Sequence, residues 1–128
     1  MIVGIALKDD SVLMRKKPEG SPPYKETWYI FGGELLYGVD PQQTIVDAIK
    51  YQSGVTVSVD RAFSWGTEVK NDVDGIEKQF VYLDVTCTYE SGALEAAPGI
   101  EKLEWVPISQ LKEYDLVPPS VEVFRKLG

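Results

Sequence analysis

The chain has no histidine and a single cysteine, Cys87. Without an imidazole, Ser-His-Asp nucleophile activation and histidine-ligated zinc are closed to it. One thiol excludes an internal disulfide framework and a cysteine metal site. Positive charge is also scarce: 13 Lys and Arg stand against 20 Asp and Glu, a net charge of −7. The chain therefore lacks the basic surplus that nucleic acids and anionic membrane surfaces select. No apolar run approaches the roughly 18 residues of a membrane span. The apolar opening, residues 2–7, meets Lys8, Asp9 and Asp10 too early for a secretory signal. The expectation is a cytoplasmic protein with no nucleic-acid or membrane partner.

What is present is ordinary for a globular protein: 128 residues, 44% hydrophobic and 26% charged. That length suits one domain with its own core, and residues 1–128 contain no repeat, low-complexity tract or linker. Two apolar stretches, 2–7 and 11–14, flank Asp9-Asp10 and predict a β-hairpin. Arg15-Lys16-Lys17 leads into a loop stiffened by Pro18, Gly20, Pro22 and Pro23. Residues 27–31 predict a strand ending at Gly32-Gly33. The period then changes. Asp40-Pro41 is a helix start, Ile45 and Ile49 form its apolar stripe, and Gly54 closes it after about Gln52.

The alternation of Val55, Val57 and Val59 returns the chain to strand. Further strands are predicted over 63–69 and 79–89, either side of a polar turn at 71–75. That turn is acid-rich but lacks the twelve-residue frame of a calcium loop. Val81, Leu83, Val85 and Cys87 share one strand face, which makes Cys87 a buried small hydrophobe. Trp65, Phe80 and Tyr82 are strand aromatics, expected in the core, with stacking on a base or sugar as the alternative. A loop at 91–99, a strand at 103–106, a short helix at 109–113 and a terminal helix at 121–127 complete the chain. The order predicts an α+β fold, a mixed β-sheet sandwiched by helices.

The segment from Trp28-Tyr29-Ile30-Phe31-Gly32-Gly33 to Gly54-Val55 resembles the Nudix family, whose members hydrolyse a nucleoside diphosphate linked to another moiety. That family's box runs Gly, five residues, Glu, seven residues, then Arg-Glu-hydrophobe-x-Glu-Glu-x-Gly-hydrophobe. Placed from Gly33, the frame fits 33–55 without a gap. It puts the first Glu at Val39, the Arg at Asp47, the next Glu at Ala48, the hydrophobe at Ile49, the paired Glu at Tyr51 and Gln52, and the close at Gly54-Val55. Gly38 matches the turn glycine, and Trp28 with Gly32-Gly33 is similar to the family's Trp-x-x-Pro-Gly-Gly, with Phe31 in place of Pro. Glu104-Trp105-Val106-Pro107 and Asp115-Leu116-Val117-Pro118-Pro119 resemble its closing strand and last loop.

The resemblance implies the Nudix fold over nearly the whole chain, and a homodimer is common in that fold. In the family the box glutamates hold magnesium against a substrate diphosphate, and the Arg orients one of them. Here every charged position of the box is replaced, and magnesium prefers anionic oxygens, so the ion is expected to be weak or absent. The remaining candidate metal ligands are the Gly33 carbonyl, Glu34, Asp47 and Gln52. Candidate contacts to phosphate or ligand are Arg15, Lys16, Lys17, Gly33, Tyr51 and Gln52. Solvated surface charge is the plain alternative for the acids and for the basic run. Three functions stay open: a binding protein for a nucleotide-like small molecule with little or no hydrolysis, a working hydrolase using acids outside the box such as Glu34, Asp47, Glu68 or Glu90, and a protein-interaction module. Calorimetric titration with magnesium alone is expected to give a dissociation constant on the order of a millimolar or weaker; a micromolar site would overturn the reading of the box.

Overall fold

The first hairpin forms around its acidic turn. β1 (Ile2–Lys8) and β2 (Ser11–Lys16) are antiparallel, with Leu7 opposite Val12. Asp9 takes φ 54° there, a left-handed conformation that a short acidic side chain tolerates. This computed structural model describes residues 1–17 and 27–127, so the Pro-rich loop with Pro18, Gly20, Pro22 and Pro23 lies outside the described residues.

The single strand expected over 27–31 is two strands. β3 (Trp28–Tyr29) pairs with β2, whereas β4 (Phe31–Gly33) pairs with β1. Ile30 belongs to neither, and the chain crosses there from one neighbour to the other. Periodicity hides the crossing because both halves are extended and apolar.

α1 (Pro41–Ser53) begins where its cap predicts. The Asp40 carboxylate accepts the Gln42 N–H at 3.0 Å, and Gly54 ends the helix at φ 78°. Ile45 and Ile49 are fully buried. The helix lies against bare β1 backbone at Gly4, where a Cβ would stand 2.5 Å from Ile45 Cγ1. At its far end the carbonyls of Ser53 and Gln52 accept the N–H groups of Glu95 and Ala97 at 2.8 and 3.2 Å. The 91–99 loop thus supplies donors that a helix end otherwise lacks.

β5 (Thr56–Asn71) and β6 (Glu77–Ser91) form one long hairpin. The two strands expected over 55–59 and 63–69 are continuous. Register shifts between Val59 and Arg61 and between Ala62 and Ser64 add residues and let the strand bend without ending. At the tip, the Lys78 amine bonds Asp72 and Asp74, each at 2.9 Å, so the charge of the acid-rich turn is partly offset from within the hairpin. Val85 and Cys87 are buried, whereas Val81 toward the tip is 44% exposed. Burial pushes the Cys87 thiol up to about 11, with Asp60 adding to it, as for an inert core residue.

β7 (Lys102–Pro107) pairs with β2, a 3-10 turn follows over Ile108–Glu113, and α2 (Pro118–Leu127) closes the fold. α2 starts earlier than predicted because proline is tolerated in a first helical turn. The mixed sheet runs β3-β2-β1-β6-β5, with β4 on β1 and β7 on β2. α1 covers one face over Ile2, Phe31, Val57 and Val85. α2 covers the other, where Val123 packs with Val3, Ile5 and Met14. Among the described residues no helix is long and apolar enough to cross a membrane.

Gly54→Ala tests the end of α1. The new Cβ would meet the left-handed φ and stand 2.8 Å from the Ala93 carbonyl oxygen. A loss of about 1–2 kcal/mol in urea unfolding is expected; an unchanged midpoint would show that this helix end relaxes freely.

Candidate functional site

Four residues stand side by side across four strands: Gly32 on β4, Val3 on β1, Asp84 on β6 and Ser64 on β5. Paired residues of a sheet share a face, and this face is the one beneath α2. Between sheet and helix lies a cavity of about 620 Å³, within the range of small-molecule sites. Gly32 and Gly66 give it bare backbone, Tyr29 and Tyr82 aromatic walls, and residues 117–120 with Val123 and Lys126 its helical side.

Arg15 is the central cation. Its Nε donates to the Ile30 carbonyl at 3.1 Å. Its guanidinium carbon lies 5.4 and 5.6 Å from the ring centroids of Tyr29 and Phe31, within cation–π range. Among the described residues no carboxylate pairs with it. Burial lowers its pKa to about 10, with Tyr29 opposing, as expected for a cation taken out of water without a counter-ion. Burial and then Arg15 also lower the Lys17 amine, which lies 5.5 Å from the Tyr29 ring centroid. Opposite, Glu68 accepts the Tyr82 hydroxyl at 2.9 Å and pairs with Lys70 at 3.3 Å.

The candidates from the sequence are dispersed. Arg15 and Lys17 line the cavity. Lys16 alternates to the other side of β2 and pairs with Glu101 at 3.4 Å. Gly33 lies against α1, where a Cβ would stand 2.9 Å from Thr44 Cγ2; its neighbour Gly32 lines the cavity instead. Val39 and Tyr51 are exposed, and Ala48 and Gln52 are half-buried on α1, all outside the cavity lining. The Gln52 Oε1 is buried without a hydrogen-bond partner among the described residues. Asp47 is exposed and accepts Gln43 Nε2 at 2.8 Å, one turn back along α1. Glu34 is exposed just after β4, Glu68 is in the cavity, and Glu90 accepts from Ser58 near the end of β6.

This donor set does not fit a magnesium ion held as the family holds it. Within 33–55 the only carboxylates are Glu34, Asp40 and Asp47. Asp40 caps α1 and Asp47 is engaged by Gln43. No group of three acidic, histidine or cysteine side chains among the described residues could hold a metal.

Sequence reasoning missed Asp84, Ser64 and the α2 wall. Asp84 is 1% exposed; Ser64 Oγ donates to its Oδ2 at 2.6 Å, while its Oδ1 is buried with no partner among the described residues. Burial raises its pKa, and the Ser64 bond and the Lys126 charge oppose that rise. The apolar alternation of Val81, Leu83 and Val85 turns Asp84 to the opposite strand face, normally the wet one. The available signal was the sandwich itself, since a strand covered on both sides buries whatever it carries. Of the strand aromatics, Tyr82 lines the cavity and stacks with Phe80 at 6.5 Å, whereas Trp65 is 73% exposed.

No protein-family model matches the chain, and no curated protein matches it in sequence. Solved structures do match. A NUDIX hydrolase from Nitrosomonas europaea superposes with a TM-score of 0.75 at 13% identity, over 98% of this chain and 85% of the other. A MutT NUDIX hydrolase from Burkholderia pseudomallei gives 0.70 at 16% identity, over 99% and 95%. A UDP-X diphosphatase gives 0.69 at 18% identity, over 98% of this chain and 60% of the larger one. With its mixed sheet, α1 on one face and α2 on the other, the chain has the fold of the Nudix hydrolases.

Proposed function

We propose that the protein binds a nucleotide-like anion in the cavity beneath α2, with little or no hydrolysis. The observation that carries this reading is Arg15: a partly buried cation with no carboxylate partner, its Nε occupied and its terminal amines unbonded among the described residues. A guanidinium presents a planar fork suited to phosphate or carboxylate oxygens. Tyr29 and Tyr82 supply the aromatic surface that a base or sugar needs. The structural likeness to a UDP-X diphosphatase favours a nucleotide derivative over other anions. Little hydrolysis is expected because Val39, Ala48, Tyr51 and Gln52 offer magnesium no anionic oxygen.

The test is a thermal-shift screen of nucleoside diphosphates and nucleotide sugars, with and without magnesium, since a ligand that binds only the native state raises the melting point. Stabilisation without magnesium is expected. Arg15→Met should weaken the best ligand about tenfold or more, and should cost roughly 1 kcal/mol of stability by orphaning the Ile30 carbonyl. Affinity is therefore measured by calorimetry on folded variant. Unchanged affinity would overturn the role of Arg15. Magnesium-dependent cleavage of a bound nucleotide would favour a working hydrolase, with Glu68 the outside-box acid already in the cavity.

A further inference from the structure

Three consecutive residues give Arg15 its place in the cavity. Its Nε donates to the Ile30 carbonyl at 3.1 Å. Its guanidinium carbon lies 5.4 and 5.6 Å from the ring centroids of Tyr29 and Phe31, the two neighbours of Ile30 in the chain. Where the backbone of 29–31 goes, the hydrogen bond and both rings go with it. Tyr29 is held by its pairing to β2 and Phe31 by its pairing to β1, but Ile30 has no strand partner among the described residues.

The Ile30 N–H donates instead to Ser120 Oγ at 3.3 Å, in the buried interior. Ser120 is 1% exposed and belongs to the first turn of α2. That turn does not need the hydroxyl. Pro118 and Pro119 carry no N–H, and the N–H groups of Ser120 and Val121 both reach the Val117 carbonyl, at 2.9 and 3.2 Å. Serine at a helix start commonly caps its own helix; here the hydroxyl serves the sheet. Two hydrogen bonds therefore run in series, from Ser120 to Ile30 and from Ile30 to Arg15. They join the helical wall of the cavity to its central cation.

Resting on the nucleotide reading above, we propose that Ser120 is a positioning residue for Arg15: through Ile30 it sets the direction in which the guanidinium fork faces the cavity. A fork that binds two oxygens at once tolerates little misalignment, because both of its N–H bonds must be made together. Once Ile30 is unpinned, the carbonyl that holds Nε and the rings beside it shift together. The fork then turns from the anion while its charge stays the same. Ser120 acts without touching the ligand, as its burial requires.

Calorimetry with uridine diphosphate, without magnesium, compares Ser120→Ala in the wild-type and Arg15→Met backgrounds. In the wild-type background the change should weaken binding about threefold to tenfold, the net worth of one hydrogen bond. Ser120→Thr, which keeps the hydroxyl, should stay within about twofold of wild type. In the Arg15→Met background Ser120→Ala should alter affinity by less than about twofold, since nothing is left to position. An equal loss in both backgrounds would overturn the role of Ser120 and leave that of Arg15 intact. Hydrogen exchange of the Arg15 Nε–H, followed by NMR with isotope-labelled arginine, reads the positioning without ligand. Ser120→Ala should speed this exchange by a larger factor than it speeds the amides of Ile45 and Ile49 in α1, whose rates report global opening. Equal factors would overturn the inference whether or not uridine diphosphate binds. If it does not bind, the nucleotide reading falls, and the exchange rates alone decide whether Ser120 holds Arg15.

Discussion

Where the chain crosses from β2 to β1, Ile30 has no strand neighbour, and two side chains take the place of one. Arg15 Nε donates to its carbonyl at 3.1 Å, and its N–H donates to Ser120 Oγ at 3.3 Å. Buried main-chain groups must be paired, so these contacts are what allow the crossing. They also join β2 to the first turn of α2. The same junction is reinforced two residues earlier, where Trp28 donates to the Asp115 carbonyl at 3.0 Å and accepts the Val117 N–H at 3.1 Å. Its ring meets Tyr114 edge-on, centroids 5.0 Å apart. The start of α2 is thereby fixed over the crossing, and the cavity is the space between that helix and the sheet.

Arg15 consequently has two roles. One nitrogen holds the crossover, while the rest of the guanidinium stays in a cavity that offers it aromatic faces and, among the described residues, no acid partner. Such a cation is costly without an anion, and the proposed ligand would supply one. Asp84 is sealed beneath the cavity floor, with one oxygen tied to Ser64 and one without a donor among the described residues.

The segment 33–55 lies mainly on the other face of the sheet, and its shape rests on caps, apolar anchors and glycines. Asp40 and Gly54 set the ends of α1, Ile45 and Ile49 anchor it, and Gly33 and Gly4 let it approach the strands. None of these contacts involves Val39, Ala48 or Tyr51 in a charged role. Loop and helix therefore keep their geometry without a charged side chain at any of these three positions.

Several features were legible in the sequence because their causes are local. The ends of α1 follow from a carboxylate two residues from the N–H it caps and from a glycine that accepts a left-handed φ. The first hairpin follows from its turn, and the spacing of 33–55 follows from the order of residues alone. The rest depended on partners remote in sequence. Residues 27–31 look like one strand until β1 and β2 compete for its two halves. Residues 55–71 look like two strands until bulges against β6 join them. Arg15 and Lys16 are adjacent, yet one lines the cavity and the other pairs with Glu101, because alternation along β2 separates them. Asp84 looks like a surface acid until α2 covers its face of the sheet. The order of elements determined the α+β class, and the ends of α1 followed from local residues; only the packing of α2 across β1, β4 and β6 decided which side chains meet, because burial is a property of what lies on top of a strand and not of the strand itself.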